Sequence, residues 1–233
     1  MDGPLDPFEG FRLATFRFFE ELEANNNRMW FEAHKAVYET VVLQPTREFA
    51  VAMRDYFRFK DPEMNMLLRR IISRITRDTR SNPTQPPYKT CQSLNFRRAV
   101  SGDARDWSSY PEFFIHINKD GADYGLGLHT VRQKTQELIR QEIINEQDDF
   151  KRILKGLVNV RGFELNGKPL KYPVPTEEKI DESLLPWLQH ENIYLTKHLA
   201  ISHIIISEDL VTYLRQEFDY LYPLYQFFMR ACH

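Results

Sequence analysis

The chain has 233 residues, 42% hydrophobic and 27% charged, enough to bury roughly 70% of its unfolded surface without help from a metal or disulfide. An aromatic content of 13% against only 9 glycines excludes collagen-like, low-complexity and disordered classes. Lys+Arg of 31 against Asp+Glu of 33 leaves a formal net charge of -2, which argues against bulk attraction to nucleic acid or to an anionic membrane.

From the amino end, Phe11, Ala14, Phe18 and Leu22 recur at spacings of three and four, which predicts a helix with one apolar face. Asn25-Asn26-Asn27 is expected to end it and to open a second helix carrying Trp30, Phe31, Ala33 and Tyr38. Pro45 is expected to interrupt, with Phe49, Met53 and Phe57 marking a third helical segment. Between Leu67 and Thr76 the β-branched content favours a strand. Asn82-Pro83-Thr84-Gln85-Pro86-Pro87 then reads as a loop.

A strand is expected around Ser93 to Phe96. A β-hairpin follows, with Phe113, Ile115 and Ile117 alternating with Phe114, His116 and Asn118, Lys119-Asp120-Gly121 at the turn, and Tyr124 to His129 returning. Helical spacing resumes with Val131, Leu138, Ile139, Ile143 and Ile144, and again from Phe150 to Leu157. Asn166-Gly167 signals a tight turn of the kind hairpins favour, and Ile193 to Leu199 a strand. Ser207-Glu208-Asp209 supplies a cap and two acids ahead of Leu210, Leu214, Phe218 and Leu221. Pro223 is expected to kink or end that last helix, leaving an aromatic tail from Leu224 to Met229. The expected fold is therefore α+β, with helices at both chain ends packed on a mostly antiparallel sheet. It is read as a single domain over 1–233, helical over about 11–60, sheet-rich over about 67–130 and helical again over about 207–230.

The two cysteines, Cys91 and Cys232, have no CxxC or finger spacing and read as free thiols of a reducing compartment. No stretch approaches the roughly 20 apolar residues of a membrane span, and Met1-Asp2-Gly3-Pro4 has neither a basic start nor an apolar signal core. Cytoplasmic residence, with no membrane partner, is the expectation.

The chemistry concentrates between Leu67 and Arg105. Arg69, Arg70, Arg74, Arg77, Arg80, Lys89, Arg97, Arg98 and Arg105 face only Asp78 and Asp103, a local charge of +7 in a chain whose total is -2. Arginine outnumbers lysine there eight to one, and its planar fork suits bidentate binding of phosphate or carboxylate. In an extended strand Arg74 and Arg77 lie an odd number of places apart and face opposite sides. Asp78 is placed to orient Arg74 or Arg80, or to belong to an internal salt-bridge network.

Arg28-Met29-Trp30-Phe31-Glu32 after the asparagine run, Arg74-Ile75-Thr76-Arg77-Asp78-Thr79-Arg80 and Pro87-Tyr88-Lys89-Thr90 resemble the landmarks of the domain of unknown function 2461 family. Phe114-Ile115-His116-Ile117, Gly125-Leu126-Gly127, Lys168-Pro169-Leu170-Lys171 and Trp187-Leu188-Gln189 extend the likeness over nearly the whole chain. The resemblance implies a uniform fold and an arginine-rich signature, in which Arg74, Arg77, Asp78, Arg80 and Tyr88 fill their places, but no activity. Ser81 stands where phenylalanine is usual, and Thr84-Gln85 where an acid or amide and a lysine are usual. The departure removes a cation from that loop.

The expected site is a pocket in which Arg74, Arg77, Arg80 and Lys89 bind a small anionic, phosphate- or carboxylate-bearing ligand. Asp78 orients the arginines, and Tyr88 or His116 moves a proton if the protein is an enzyme. The sequence leaves cofactor, oligomeric state and the question of catalysis open. A second reading is a non-catalytic interaction module whose Arg/Asp cluster is structural or docks an acidic partner. A third, nucleic-acid binding, is disfavoured by the acidity of the remaining chain.

Weaker signals read as structure before function. His116 with His129, and His198 with His203, lack the HExxH spacing of a metal site. Asp120 and Asp123 read as turn acids, Cys91 as a small buried group, and Trp30 and Trp107 as core. No GxSxG, Walker loop or GxGxxG occurs.

Overall fold

A computed structural model describes residues 5–80, 82–98, 110–128, 133–171 and 180–232. The sequence expectations at Met1 to Pro4, Ser81, Asp103, Arg105, Trp107, His129 and Val131 fall outside the described residues. In chain order the elements are α1 (Leu13–Ala24), α2 (Arg28–Tyr38), a π-helical turn (Glu39–Leu43), α3 (Gln44–Ala52), α4 (Arg54–Lys60) and α5 (Leu68–Ile71). Next come β1 (Cys91–Phe96), β2 (Glu112–Asn118), β3 (Gly121–Leu128), α6 (Gln133–Asn145) and α7 (Gln147–Leu154), which runs into a second π turn (Lys155–Val160). The last elements are β4 (Glu164–Asn166), α8 (Leu185–Leu188), β5 (Ile193–Ala200) and α9 (Asp209–Ala231). The fold is α+β, with helices at both chain ends and a five-stranded antiparallel sheet of order β1-β2-β3-β5-β4.

The residues gather into two compact units. The first takes the described chain up to Phe96, with Phe114–Tyr124 and His198–Arg215; the second takes the rest, including Gly125–Lys197. In the first unit, Phe16, Phe18, Phe19 and Leu22 of α1 are buried, and Asn25 ends the helix with Nδ2 donating to Glu21 O at 2.9 Å. Asn27 opens α2 by accepting the Trp30 N–H at 3.0 Å, the capping role expected of that run. Phe8, Phe11 and Phe49 meet edge-on or tilted with centroids 5.1 to 6.1 Å apart, and Phe57 stacks on Phe96 at 4.0 Å.

Pro45 does not interrupt the helix. A proline cannot donate the i→i-4 bond of a continuing α-helix. The turn before it is widened instead: Gln44 N–H donates to Glu39 O, and Pro45 begins α3 as a first-turn residue.

The strand expected from Leu67 to Thr76 is also corrected. Leu68, Arg69 and Arg70, none of them β-branched, form the helical turn α5, with Asn65 Oδ1 accepting the Leu67 N–H before it. Only the stretch from Ile72 is extended, bridging Ile72 to Leu94 and Thr76 to Tyr88. Ser73 N–H donates to Ser93 O at 2.9 Å and Lys89 N–H to Ile75 O at 2.8 Å.

The β2/β3 hairpin forms as its alternation and turn residues predict. Gly121 is required there: its φ is 138°, and a Cβ would stand 2.2 Å from Leu199 O. Asn166-Gly167, by contrast, closes no hairpin. β4 pairs antiparallel with the distant β5, Leu165 opposite Leu195, and beyond Gly167 the chain stays extended, with Leu170 N–H donating to Gln189 O at 2.7 Å.

In the second unit Phe150 packs on Trp187 and Phe227 with centroids 5.1 and 4.7 Å away, and Phe113 on Phe218 and Tyr225. Pro223 does not end α9 or leave a separate tail, for the helix continues to Ala231. An interior proline costs about 3 kcal/mol. Leu224, Tyr225, Phe227 and Phe228 beyond it are all buried, each worth about 1.5–3 kcal/mol, so continuing the helix wins. Among the described residues no helix is long and apolar enough to cross a membrane.

Candidate functional site

The first unit holds a cavity of about 750 Å³ between α2, the π turn, α3, α5 and the extended chain from Ile72 to Thr76. Its cationic residues are Lys35, Arg47, Arg69, Arg70 and Arg74, against two carboxylates, Glu32 and Glu39. Phe31, Tyr38, Leu43, Leu68, Ile72, Ile75 and Tyr88 supply the apolar wall. None of the five cations forms an ion pair with a described carboxylate. Salt bridges elsewhere engage other residues.

How the helices aim these groups follows from the π turn. Phe31, Lys35, Glu39, Leu43 and Arg47 line the cavity at a constant spacing of four. In an uninterrupted α-helix each step of four advances the side chain by about 40°, so Arg47 would stand about 160° from Phe31. The π turn over Glu39–Leu43 holds more residues per turn and takes back part of that rotation. Arg47 thereby faces the same hollow as Lys35. Sequence periodicity read at 3.6 residues per turn separates these side chains, so Lys35, Glu39 and Arg47 carried no signal as site residues.

The far wall is anchored by side chains that bind backbone. Asn26 brackets Tyr88, its Oδ1 accepting the Tyr88 N–H at 3.0 Å and its Nδ2 donating to Tyr88 O at 2.9 Å. Arg77 Nε donates to the same carbonyl at 3.0 Å. The Tyr88 ring stacks on Phe31 at 4.0 Å and 16°. Burial, and secondarily the Glu32 carboxylate, push the Tyr88 hydroxyl above its ordinary pKa, with Arg28 opposing, so it stays protonated at neutral pH and is a donor. Tyr38 Oη donates to Gln92 Oε1 at 2.8 Å, and Gln92 Nε2 to Ser73 O at 2.8 Å. Desolvation holds the Tyr38 hydroxyl up at about 12.

Of the residues expected from sequence, Arg74 and Tyr88 line this cavity, and Arg77, Asp78, Arg80, Lys89 and His116 are not among its lining residues. Arg77 is occupied by the Tyr88 carbonyl. Asp78 and Arg80 pair with each other at the surface, Arg80 Nε to Asp78 Oδ1 at 2.9 Å and Nη2 to Oδ2 at 2.5 Å. That guanidinium holds the Asp78 carboxyl down at about 2. His116 lies on β2 against Phe114, ring centroids 4.9 Å apart. His198 and His203 go to different carboxylates, His198 Nδ1 to Asp123 Oδ1 at 2.8 Å and His203 Nδ1 to Asp209 Oδ2 at 3.7 Å. No group of three or more His, Cys, Asp or Glu that could hold a metal occurs among the described residues.

Residues 14–227 match the family model described as conserved hypothetical protein (DUF2461), and the chain belongs to that family. No curated protein and no solved structure matches it.

Proposed function

We propose that this member of the DUF2461 family binds a small phosphate- or carboxylate-bearing molecule in the cavity lined by Lys35, Arg47, Arg69, Arg70 and Arg74. The observation that carries the reading is the surplus of cations, without carboxylate partners among the described residues, around one hollow of ligand size. Like charges gathered on one wall repel each other, and an anion removes that repulsion while accepting several charge-assisted hydrogen bonds. Tyr88, kept protonated, adds a neutral donor and is the proton donor if a reaction occurs. Arg77 serves the reading indirectly, by fixing the Tyr88 carbonyl; Asp78 and Arg80 bind each other and are given no part in the cavity.

Calorimetric titration with inorganic diphosphate tests the reading. It predicts saturable binding that weakens at least tenfold in Arg74→Gln and falls with added salt. Absence of binding, or wild-type affinity in Arg74→Gln, contradicts it.

A further inference from the structure

The anion reading leaves open what the ligand carries besides its charge, and the apolar half of the same cavity bears on that. The three aromatic rings in the wall are already covered: Phe31 is 5% exposed, Tyr88 5% and Tyr38 7%. Phe31 and Tyr88 spend their faces on each other. Among the described lining residues no flat face is therefore presented for a nucleobase to stack on, and stacking is a main source of affinity for bases. The apolar groups that keep partial exposure are aliphatic: Leu43 at the end of the π turn, Leu68 at the start of α5, and Ile72 just after it. Leu68 and Ile72 flank Arg69 and Arg70 in sequence, so aliphatic and cationic surface alternate along one short segment. Beside Arg74, the buried Ser73 hydroxyl makes no hydrogen bond among the described residues, a state that a ligand oxygen would relieve.

We infer that the occupant is an alkyl or acyl phosphate or diphosphate, its phosphate oxygens among Arg47, Arg70 and Arg74 and its hydrocarbon on Leu43, Leu68 and Ile72. The inference rests on the proposed anion site and adds the hydrocarbon to it. A soluble lipid-like phosphate of this kind uses both halves of the lining at once. An inorganic anion leaves Leu43, Leu68 and Ile72 facing water, and a nucleotide brings a ring that finds no face.

The test compares three ligands of like charge, inorganic diphosphate, hexyl diphosphate and adenosine diphosphate, by calorimetry on the full chain. Burying two methylenes is worth about tenfold in affinity, so hexyl diphosphate should bind at least tenfold tighter than inorganic diphosphate and tighter than the nucleotide. Leu68→Ser should bring the ratio of hexyl to inorganic diphosphate affinity close to one, and an unchanged ratio overturns the inference; Leu43→Asn on the π turn provides the same ratio should Leu68→Ser unfold. Equal affinity for hexyl and inorganic diphosphate overturns the inference and leaves the anion site standing. Tighter binding of the nucleotide likewise overturns it. No binding of any diphosphate overturns both.

Discussion

Asn26 and Tyr88, 62 positions apart, hold one another by two hydrogen bonds, the asparagine amide satisfying both the N–H and the C=O of the tyrosine. The tie fixes the return of the proline-rich crossing onto the extended chain before it, where Thr76 and Tyr88 form a bridge. Asn26→Ala leaves the partly buried Tyr88 N–H without its partner and the carbonyl with Arg77 Nε alone, a loss of about 1–3 kcal/mol. Urea unfolding should show it. Because Arg77 Nε shares the Tyr88 carbonyl, the Asn26→Ala/Arg77→Gln double variant should lose more than the two single losses together.

Tyr38 ties the cavity wall to β1 through Gln92. Tyr38→Phe strands the Gln92 oxygen in a buried place, and a loss of about 1–3 kcal/mol in denaturant unfolding is expected. The folded pKa of about 12 lies above tyrosine's ordinary value of about 10, so the unfolded chain releases this proton first as pH rises. The contribution is complete below about pH 10 and disappears between about 10 and 12. Ultraviolet titration of the phenolate in wild type and Tyr38→Phe should locate one group ionising near the top of that range.

Asp78 should titrate at about 2 in the folded protein, held down first by the side-chain hydrogen bonds from Arg80. A depressed carboxyl stabilises the fold above its unfolded pKa, and the contribution is lost as pH falls through about 4 to 2. In Arg80→Gln the carboxyl should return toward the ordinary aspartate range. Carboxyl carbon shifts followed by nuclear magnetic resonance from pH 6 to 1.5 measure this, and because the pair is exposed, global stability near neutral pH should barely change.

Glu39 shares the cavity with the five cations. Removing its charge while keeping its shape, in Glu39→Gln, should tighten inorganic diphosphate about two- to fivefold by relieving like-charge repulsion across a solvated gap. Weaker binding in that variant would mean that Glu39 itself orients an arginine.

Local signals told most of the fold. The 3.6-residue periodicity of Phe18 and Leu22, the Asn27 cap, the Lys119-Asp120-Gly121 turn and the Ser207-Glu208-Asp209 start are each decided within a few residues, and each stands in the structure. Prolines misled where distant burial overrides a local cost: Pro45 follows a widened turn, and Pro223 is carried by the buried aromatics after it. β4 depends on a partner about 30 residues away, so the tight-turn signal of Asn166-Gly167 carries no information about which strand β4 pairs with. Charge clustering points to Arg74, and the family signature to Tyr88, but both point equally to the segment of Arg77 and Arg80, whose partners belong to the loop itself. Arg47 and Lys35 stayed hidden because only the π turn aligns them.

The cavity reading is tested most directly by a charge that sequence clustering did not single out. Inorganic diphosphate should be titrated calorimetrically into wild type, Arg47→Gln and Arg80→Gln. Arg47 lines the hollow and Arg80 is engaged at the surface by Asp78, so a loss of at least tenfold in Arg47→Gln beside unchanged binding in Arg80→Gln is predicted. Equal weakening in both, or a loss confined to Arg80→Gln, would contradict the account.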